Sequence, residues 1–149
     1  MASWVKRAMA AAAALALLAG PAAAQVPDPY ARELAQKLAR AQTVVTERGY
    51  QRAAGPFAGG LGASEDARFQ VMLRAGMDYR IVGVCDSRCS DLDMRLYDPN
   101  DQRVAEDVLD DAVPVIHILP QSTGQHTIEV RMRRCGSDPC WFAFNVYSR

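Results

Sequence analysis

Apolar and polar residues alternate with a period of two from Ala67 onward, and this pattern constrains the fold more than any other feature. In the clearest segment, Ile128, Val130 and Met132 alternate with charged residues. A strand with one buried face has this pattern, because successive side chains point to opposite faces. About seven such segments follow one another, separated by turns rather than helices, which predicts antiparallel pairing.

The predicted strands are marked by their apolar positions. These are Phe69, Val71 and Leu73; Tyr79 to Cys85; Leu92, Met94 and Leu96; Val104; Val113 to Leu119; Ile128, Val130 and Met132; and Phe142, Phe144 and Val146. Pro114 and the polar surroundings of Val104 are typical of edge strands, because proline cannot donate a ladder hydrogen bond. We therefore predict a mainly β chain folded as an antiparallel sandwich or barrel.

An amphipathic helix is predicted before the strands, over Asp28 to Arg48, with Asp28 as its N-cap and Gly49 as its stop. Its apolar residues recur at three- and four-residue spacing and form one stripe. The stripe consists of Tyr30, Leu34, Leu38, Ala41 and Val45. Such a stripe packs on the rest of the domain or, alternatively, binds a partner or a second copy.

The segment from Gly49 to Ser64 contains five glycines and one proline, a composition that predicts a loop or linker. Glycine is also used where the backbone passes close to another group, and the sequence leaves that alternative open. The predicted organisation is a leader over residues 1–24, a helix and Gly-rich linker over 25–64, and a β-sandwich domain over 65–149.

The leader has the features of a secretory signal peptide. Lys6 and Arg7 precede an apolar run from Ala8 to Gly20, and small residues end at Ala24. A membrane anchor would need roughly 20 consecutive apolar residues, and Pro21 interrupts this run. We therefore predict cleavage after Ala24 and export to the periplasm or the medium.

The charge balance bears on the partners. The chain has 17 basic and 17 acidic residues, and removing Lys6 and Arg7 leaves 15 against 17, a net charge of −2. Binding to nucleic acid needs a basic face, so no nucleic-acid partner is expected. No later apolar run has spanning length, so we also expect no membrane span in the mature chain.

The four cysteines form two short-range pairs, Cys85 with Cys89 and Cys135 with Cys140. An oxidising compartment preserves disulfides, and two local bridges are the favoured one of three connectivities. A four-cysteine zinc site and a redox pair are the alternatives. Neither pair has the Cys-x-x-Cys spacing typical of both, so structural disulfides are predicted.

The strand region resembles a known family in four places. The matching residues are Leu73, Ala75, Gly76 and Tyr79; Asp91, Leu92, Asp93, Leu96, Tyr97 and Asp98; Gly124, Ile128 and Val130; and Phe142, Phe144 and Tyr147. Over about residues 67–149 the chain resembles the bacterial pre-peptidase C-terminal domain. It departs from that pattern at His126, where the family tends to have tyrosine.

The resemblance implies a jelly-roll-like β-sandwich that is non-catalytic and accompanies secreted enzymes. Related sandwich domains of bacterial collagenases bind calcium and substrate chains. On this basis an accessory or binding module of the cell envelope is expected.

Acidic residues are concentrated between Cys85 and Asp111, where nine acids stand against three bases. Asp91 and Asp93 project to the same face if they lie on a strand. Calcium binds six to eight oxygen ligands, and further ones are expected from Asp86, Asp107 or Asp110. The pattern predicts either a calcium site or ordinary solvated turns.

Catalytic motifs are not apparent in the sequence. The two histidines are His117, in an apolar strand, and His126, beside a turn. A nucleophilic site would need Ser or Cys next to a base that a third group orients. Ser122 is near His126 in sequence, but no nucleophile elbow, metalloprotease helix or phosphate loop is present. The sequence favours a non-enzymatic protein.

The last strand offers a second candidate surface. Trp141, Asn145 and Tyr147 alternate with its inward-facing residues, which predicts an exposed aromatic strip for a sugar or peptide. The alternative is that Trp141 covers the nearby disulfide and Tyr147 closes the end of the sandwich.

The predicted function is an exported, non-catalytic binding or accessory module of the cell envelope, with calcium as its one candidate cofactor. Its partner would be an envelope protein, a glycan or a peptide. The alternative is a structural or interaction protein that associates through its N-terminal helix.

Overall fold

A computed structural model describes residues 25–149. The predicted leader and its cleavage after Ala24 lie outside the described residues. One helix and eight strands follow in chain order. They are α1 (Asp28–Thr46), β1 (Gln51–Leu61), β2 (Asp66–Leu73), β3 (Tyr79–Cys85), β4 (Cys89–Tyr97), β5 (Arg103–Asp107), β6 (Val115–Ile118), β7 (Gly124–Cys135) and β8 (Cys140–Ser148).

The strands form two four-stranded sheets that face each other. The first sheet has the order β1-β8-β3-β6 and the second β2-β7-β4-β5. Every paired neighbour is antiparallel. The predicted antiparallel β-sandwich is therefore confirmed, with β5 and β6 as edge strands, as Val104 and Pro114 indicated.

The core lies between the sheets and is built from alternate residues of each strand. Met94 and Leu96 of β4 and Ile128 of β7 are fully buried there. Phe144 of β8 stacks on Phe57 of β1 with ring centroids 4.8 Å apart. Offset aromatic pairs of this kind add to the stability that burial of their area provides.

Helix α1 lies on the outer face of the first sheet and makes a third layer. Leu34 and Leu38 pack against Val84 and Ala143. Val45 belongs to a second cluster at the other end of the helix. The apolar stripe therefore packs on the domain itself, which was the first of the two alternatives that the sequence left open.

The ends of α1 differ slightly from the prediction. Pro27, not Asp28, is the N-cap, and no side chain caps the helix. Asp28 lies in the first turn, where its negative charge interacts favourably with the helix dipole. The helix ends at Thr46, and Gly49 takes a positive φ of 84°, which reverses the chain.

The linker prediction for residues 49–64 is wrong, because strand β1 occupies most of this segment. β1 pairs with β8 along its length, from Gln51 opposite Ser148 to Leu61 opposite Cys140. A side chain at Gly60 would approach the Trp141 ring to 2.8 Å. Glycine occupies this position because β8 lies so close. The resulting glycine content of the strand is what led the sequence pattern to predict a linker.

Two disulfides join Cys85 to Cys89 and Cys135 to Cys140, as predicted. Cys89 and Cys135 are register partners in β4 and β7, whereas Cys85 and Cys140 lie in β3 and β8, so both bridges join the two sheets at the same end of the sandwich. All four cysteines are bonded in these pairs, so none supplies the free thiolate that a zinc site requires. The bridges indicate an oxidising, extracytoplasmic compartment.

Candidate functional site

The predicted calcium ligand Asp86 has a structural role. Its carboxylate is fully buried and accepts hydrogen bonds from the backbone N–H, Nε and Nη2 of Arg88 and from the N–H of Trp141. Burial opposes ionisation of Asp86, but these donors outweigh it and lower its pKa. Asp86 therefore orders the Cys85–Cys89 loop and does not face Asp91.

Asp107 also lies apart from the other predicted calcium ligands. Its two carboxylate oxygens accept the backbone N–H groups of Leu109, at 3.2 Å, and of Val115, at 2.8 Å. It thus connects the loop after β5 to the start of β6. The prediction that Asp86 or Asp107 supplies ligands to a metal site at Asp91 and Asp93 is therefore wrong.

Asp91, Asp93 and Asp110 do come together, around an open depression on the outer face of the second sheet. Asp91 and Asp93 are 6% and 5% exposed, because the loop after β5 covers them. Burial raises the pKa of both carboxyls, and repulsion between neighbouring acids raises it further. Asp110 forms a two-pronged ion pair with Arg134 at 2.7 and 2.9 Å.

These residues fit a calcium ion only partly. Within residues 25–149 no three His, Cys, Asp or Glu residues are arranged to hold a metal ion. Arg133 and Arg134 line the same depression and supply positive charge there. In favour of an ion, the buried Oδ1 of Asp91 has no hydrogen-bond donor, and such an atom is rare without a bound water or ion.

Beside this depression, charged side chains form a row across the outer face of the second sheet. Arg68 of β2 pairs with Glu129 of β7 at 2.9 Å, and Arg95 of β4 reaches the other oxygen of Glu129 at 3.5 Å. Arg95 also pairs with Glu106 of β5 at 3.2 Å. Because the basic and acidic side chains of this row alternate, each charge is paired with a neighbour in the row. The row therefore stabilises the sheet and has no unpaired charge with which to bind a charged ligand.

The predicted aromatic strip on β8 is not exposed. Asn145 is 2% and Tyr147 0% exposed, and the Asn145 amide donates a hydrogen bond to the Tyr147 hydroxyl. Trp141 is partly buried against Leu34 and Leu38 of α1. Helix α1 covers this face of the first sheet, so the strip is wrong as a binding surface.

The two histidines lie at different places. His117 on β6 is half exposed, and its Nε2 is 2.8 Å from Asp78 Oδ1. Asp78 also accepts hydrogen bonds from Tyr50 and Arg149. Burial opposes ionisation of Asp78, but hydrogen bonds from Arg149, Tyr50 and His117 outweigh it and lower its pKa. This cluster fixes β6 to the chain after α1.

His126 lines a small cavity of about 220 Å³ together with Ser122 and Asp98. The His126 Nδ1 lies 3.0 Å from the carbonyl oxygen of Gly124. The Asp98 carboxylate accepts two backbone N–H groups of its own turn. Among the described residues no hydrogen bond joins Ser122 to His126, so no activated nucleophile is assembled.

An apolar groove lies between α1 and edge strand β6, and it is here called the α1/β6 groove. Val82 and Val84 of β3 form its floor, Val44 of α1 one wall, and Val113 and Val115 the other. Its two adjoining lobes have volumes of about 340 and 290 Å³. Val44 and Val113 line both lobes, and they are 53% and 49% exposed.

The charged residues that line this groove are all basic. They are Lys37, Arg40, Arg48 and Arg80. Lys37 pairs with Glu33 and donates to the Cys85 carbonyl. Arg40, Arg48 and Arg80 form no salt bridge with any residue between 25 and 149, and the Nε of Arg80 is buried without an acceptor.

Sequence reasoning did not find this groove. Its apolar residues come from α1, β3 and the segment before β6, and Val44 lies beside the stripe that packs on the sheet. The one sequence signal is the continuous apolar run of β3, which predicts a strand covered on both faces. The helix covers only part of that outer face.

No family model matches the chain, and no curated protein sequence is significantly similar to it. The resemblance to the pre-peptidase C-terminal domain stays a prediction. In the part of the chain from residue 25 to 149, no helix is both long and apolar enough to cross a membrane.

Proposed function

We propose that the protein is an exported, non-catalytic binding module that takes an apolar ligand in the α1/β6 groove. The observation that carries this proposal is the exposure of Val44, Val113 and Val115 around a floor of buried valines. Ligand sites are concave and mostly apolar, with a few polar groups at the margin. The two lobes have that composition and a suitable size.

Export is supported by the leader sequence and by the two disulfides. An accessory role beside a secreted enzyme is consistent with the sandwich fold and with the resemblance to the pre-peptidase C-terminal domain. Association through the apolar stripe of α1 is disfavoured, because Leu34, Leu38 and Val45 are buried on the domain itself.

The test is the binding of an uncharged fluorescent probe, N-phenyl-1-naphthylamine, whose emission rises in an apolar site. We expect saturable binding to the wild-type protein. Val44→Asp should abolish it, because a carboxylate in the groove would have to lose its hydration. The matched control is Val104→Asp on β5, which is 43% exposed and lies away from the groove. Equal loss in both variants, or no saturable binding at all, would refute the proposal.

A second candidate property is stabilisation by calcium at Asp91 and Asp93. It is supported by the buried, unpartnered Oδ1 of Asp91 and by the raised pKa of both carboxyls. In chelator, Asp91→Asn should be more stable than wild type at pH 7, because the variant no longer buries a repelled charge. Millimolar calcium should raise the Tm of the wild type but not of the variant. If millimolar calcium leaves the wild-type Tm unchanged, the calcium site is refuted.

A further inference from the structure

The charges at one end of the α1/β6 groove indicate what the ligand carries. The guanidinium groups of Arg80 and Arg149 lie over the Tyr50 ring at 5.3 and 4.6 Å. Arg48 lines the same lobe as Arg80, and its carbonyl accepts a hydrogen bond from Arg149. Arg149 is neutralised by Asp78, at 2.8 Å. Arg48 and Arg80 have no acidic partner among residues 25–149, so this corner has an excess of positive charge.

The corner also has an unused donor. The Nε of Arg80 is buried and makes no hydrogen bond, and a buried donor without an acceptor is destabilising. Guanidinium groups bind carboxylates and phosphates through paired hydrogen bonds. A small anionic group at the end of the groove, where Arg48 and Arg80 line the lobe, would balance their positive charge. Acidic side chains among residues 25–149 do not pair with Arg48 or Arg80, although the chain without its leader carries a net negative charge.

The groove itself selects against a peptide. Its floor is the side-chain face of β3, where Val82 and Val84 present only methyl groups. A peptide backbone placed there would lose the hydration of its amides without gaining partners. A hydrocarbon chain has no such groups. Val44 and Val113 line both lobes, so one chain passing between them contacts both.

We infer that the α1/β6 groove binds a single-chain anionic amphiphile, a long-chain carboxylate, with its head group at Arg48 and Arg80 and its hydrocarbon tail along Val82, Val44 and Val84. This inference rests on the proposed function, because it names the ligand class of the same groove.

The experiment measures displacement of N-phenyl-1-naphthylamine at pH 8 by dodecanoate and by 1-dodecanol, which have the same chain length. Dodecanoate should bind roughly tenfold more tightly, as expected for one charge-assisted contact. Arg48→Gln and Arg80→Gln should each remove most of that difference while leaving the affinity for 1-dodecanol unchanged. Arg74→Gln, an exposed arginine on the other side of the sandwich, is the matched control.

The outcomes separate the two proposals. If neither compound displaces the probe, the groove is not an apolar ligand site and the proposed function fails with the inference. If both bind equally, or if Arg48→Gln and Arg80→Gln leave the ratio unchanged, only the anionic ligand is refuted. An equal effect of Arg40→Gln would place the head group at the other end and overturn the assignment. Tighter binding of an acidic amphipathic peptide or of lysophospholipid, or dimerisation that occludes the probe, would also overturn it.

Discussion

Asp86 is expected to be the most sensitive acidic residue in the protein. It is fully buried and its carboxylate receives four hydrogen bonds, three from Arg88 and one from the N–H of Trp141 at 2.6 Å. Asp86→Asn keeps the shape but turns one oxygen into an N–H donor. If the amide oxygen replaces Oδ1, the new N–H faces Arg88 Nη2 and the Trp141 N–H, which are both donors.

The magnitude follows from the two hydrogen bonds that are lost. Leaving a buried donor unsatisfied costs about 1–3 kcal/mol, and one of the two bonds is charge-assisted. We therefore expect a loss of about 3 kcal/mol in the free energy of unfolding at pH 7. The folded-state pKa of Asp86 is lowered, so the carboxylate stabilises the fold above the unfolded-state pKa of about 3.9. That contribution disappears as the pH falls through the folded-state pKa.

The assay is urea unfolding of wild type and Asp86→Asn at pH 7 and at pH 3, with the disulfides intact. The difference between the two proteins should be large at pH 7 and should narrow at pH 3. The control is Asp66→Asn on β2, an exposed acid, which should change stability little at either pH. A loss below about 1 kcal/mol at pH 7 would refute the reasoning, because it would mean that the two hydrogen bonds removed by the substitution carry little net stability.

Three further outcomes follow from the packing. Leu34→Ala should lower the free energy of unfolding by about 2–5 kcal/mol in one cooperative transition, because Leu34 is 3% exposed against the first sheet; a separate early transition of α1 by circular dichroism would contradict this. Cys135→Ser should lower stability by about 2 kcal/mol under oxidising conditions and very little in excess reductant; equal loss in both would mean that the side chain itself packs. Glu129→Gln should cost about 1 kcal/mol at low salt, and the loss should shrink in concentrated NaCl as screening weakens the row.

Much of the fold could be predicted from the sequence. Strands with one buried face, such as β4 and β7, show their alternation directly, because burial of Leu92 or Ile128 is decided within the strand. The two disulfides also follow from local spacing. Strand β1 could not be recognised, because its glycines reflect side chains of β8 that lie far away in sequence, such as Trp141.

The candidate sites were harder to predict because they depend on how layers pack. Asn145 and Tyr147 alternate as an exposed strip would, but α1 covers them. The pairing of Arg68 with Glu129 depends on the register of β2 and β7, which single-sequence patterns do not fix. The α1/β6 groove exists because the helix is offset from the edge of the sheet, and no local pattern encodes that offset.

Strand order has a consequence for synthesis. β8 is the last strand in the chain, yet it lies between β1 and β3 in the middle of the first sheet. Until residues 140–148 have been made, β1 has no hydrogen-bonding neighbour in its sheet and α1 lacks half of the surface that it covers. The central pairings of the first sheet therefore cannot form during translation until β8 itself has been synthesised, however early β1 and β3 emerge.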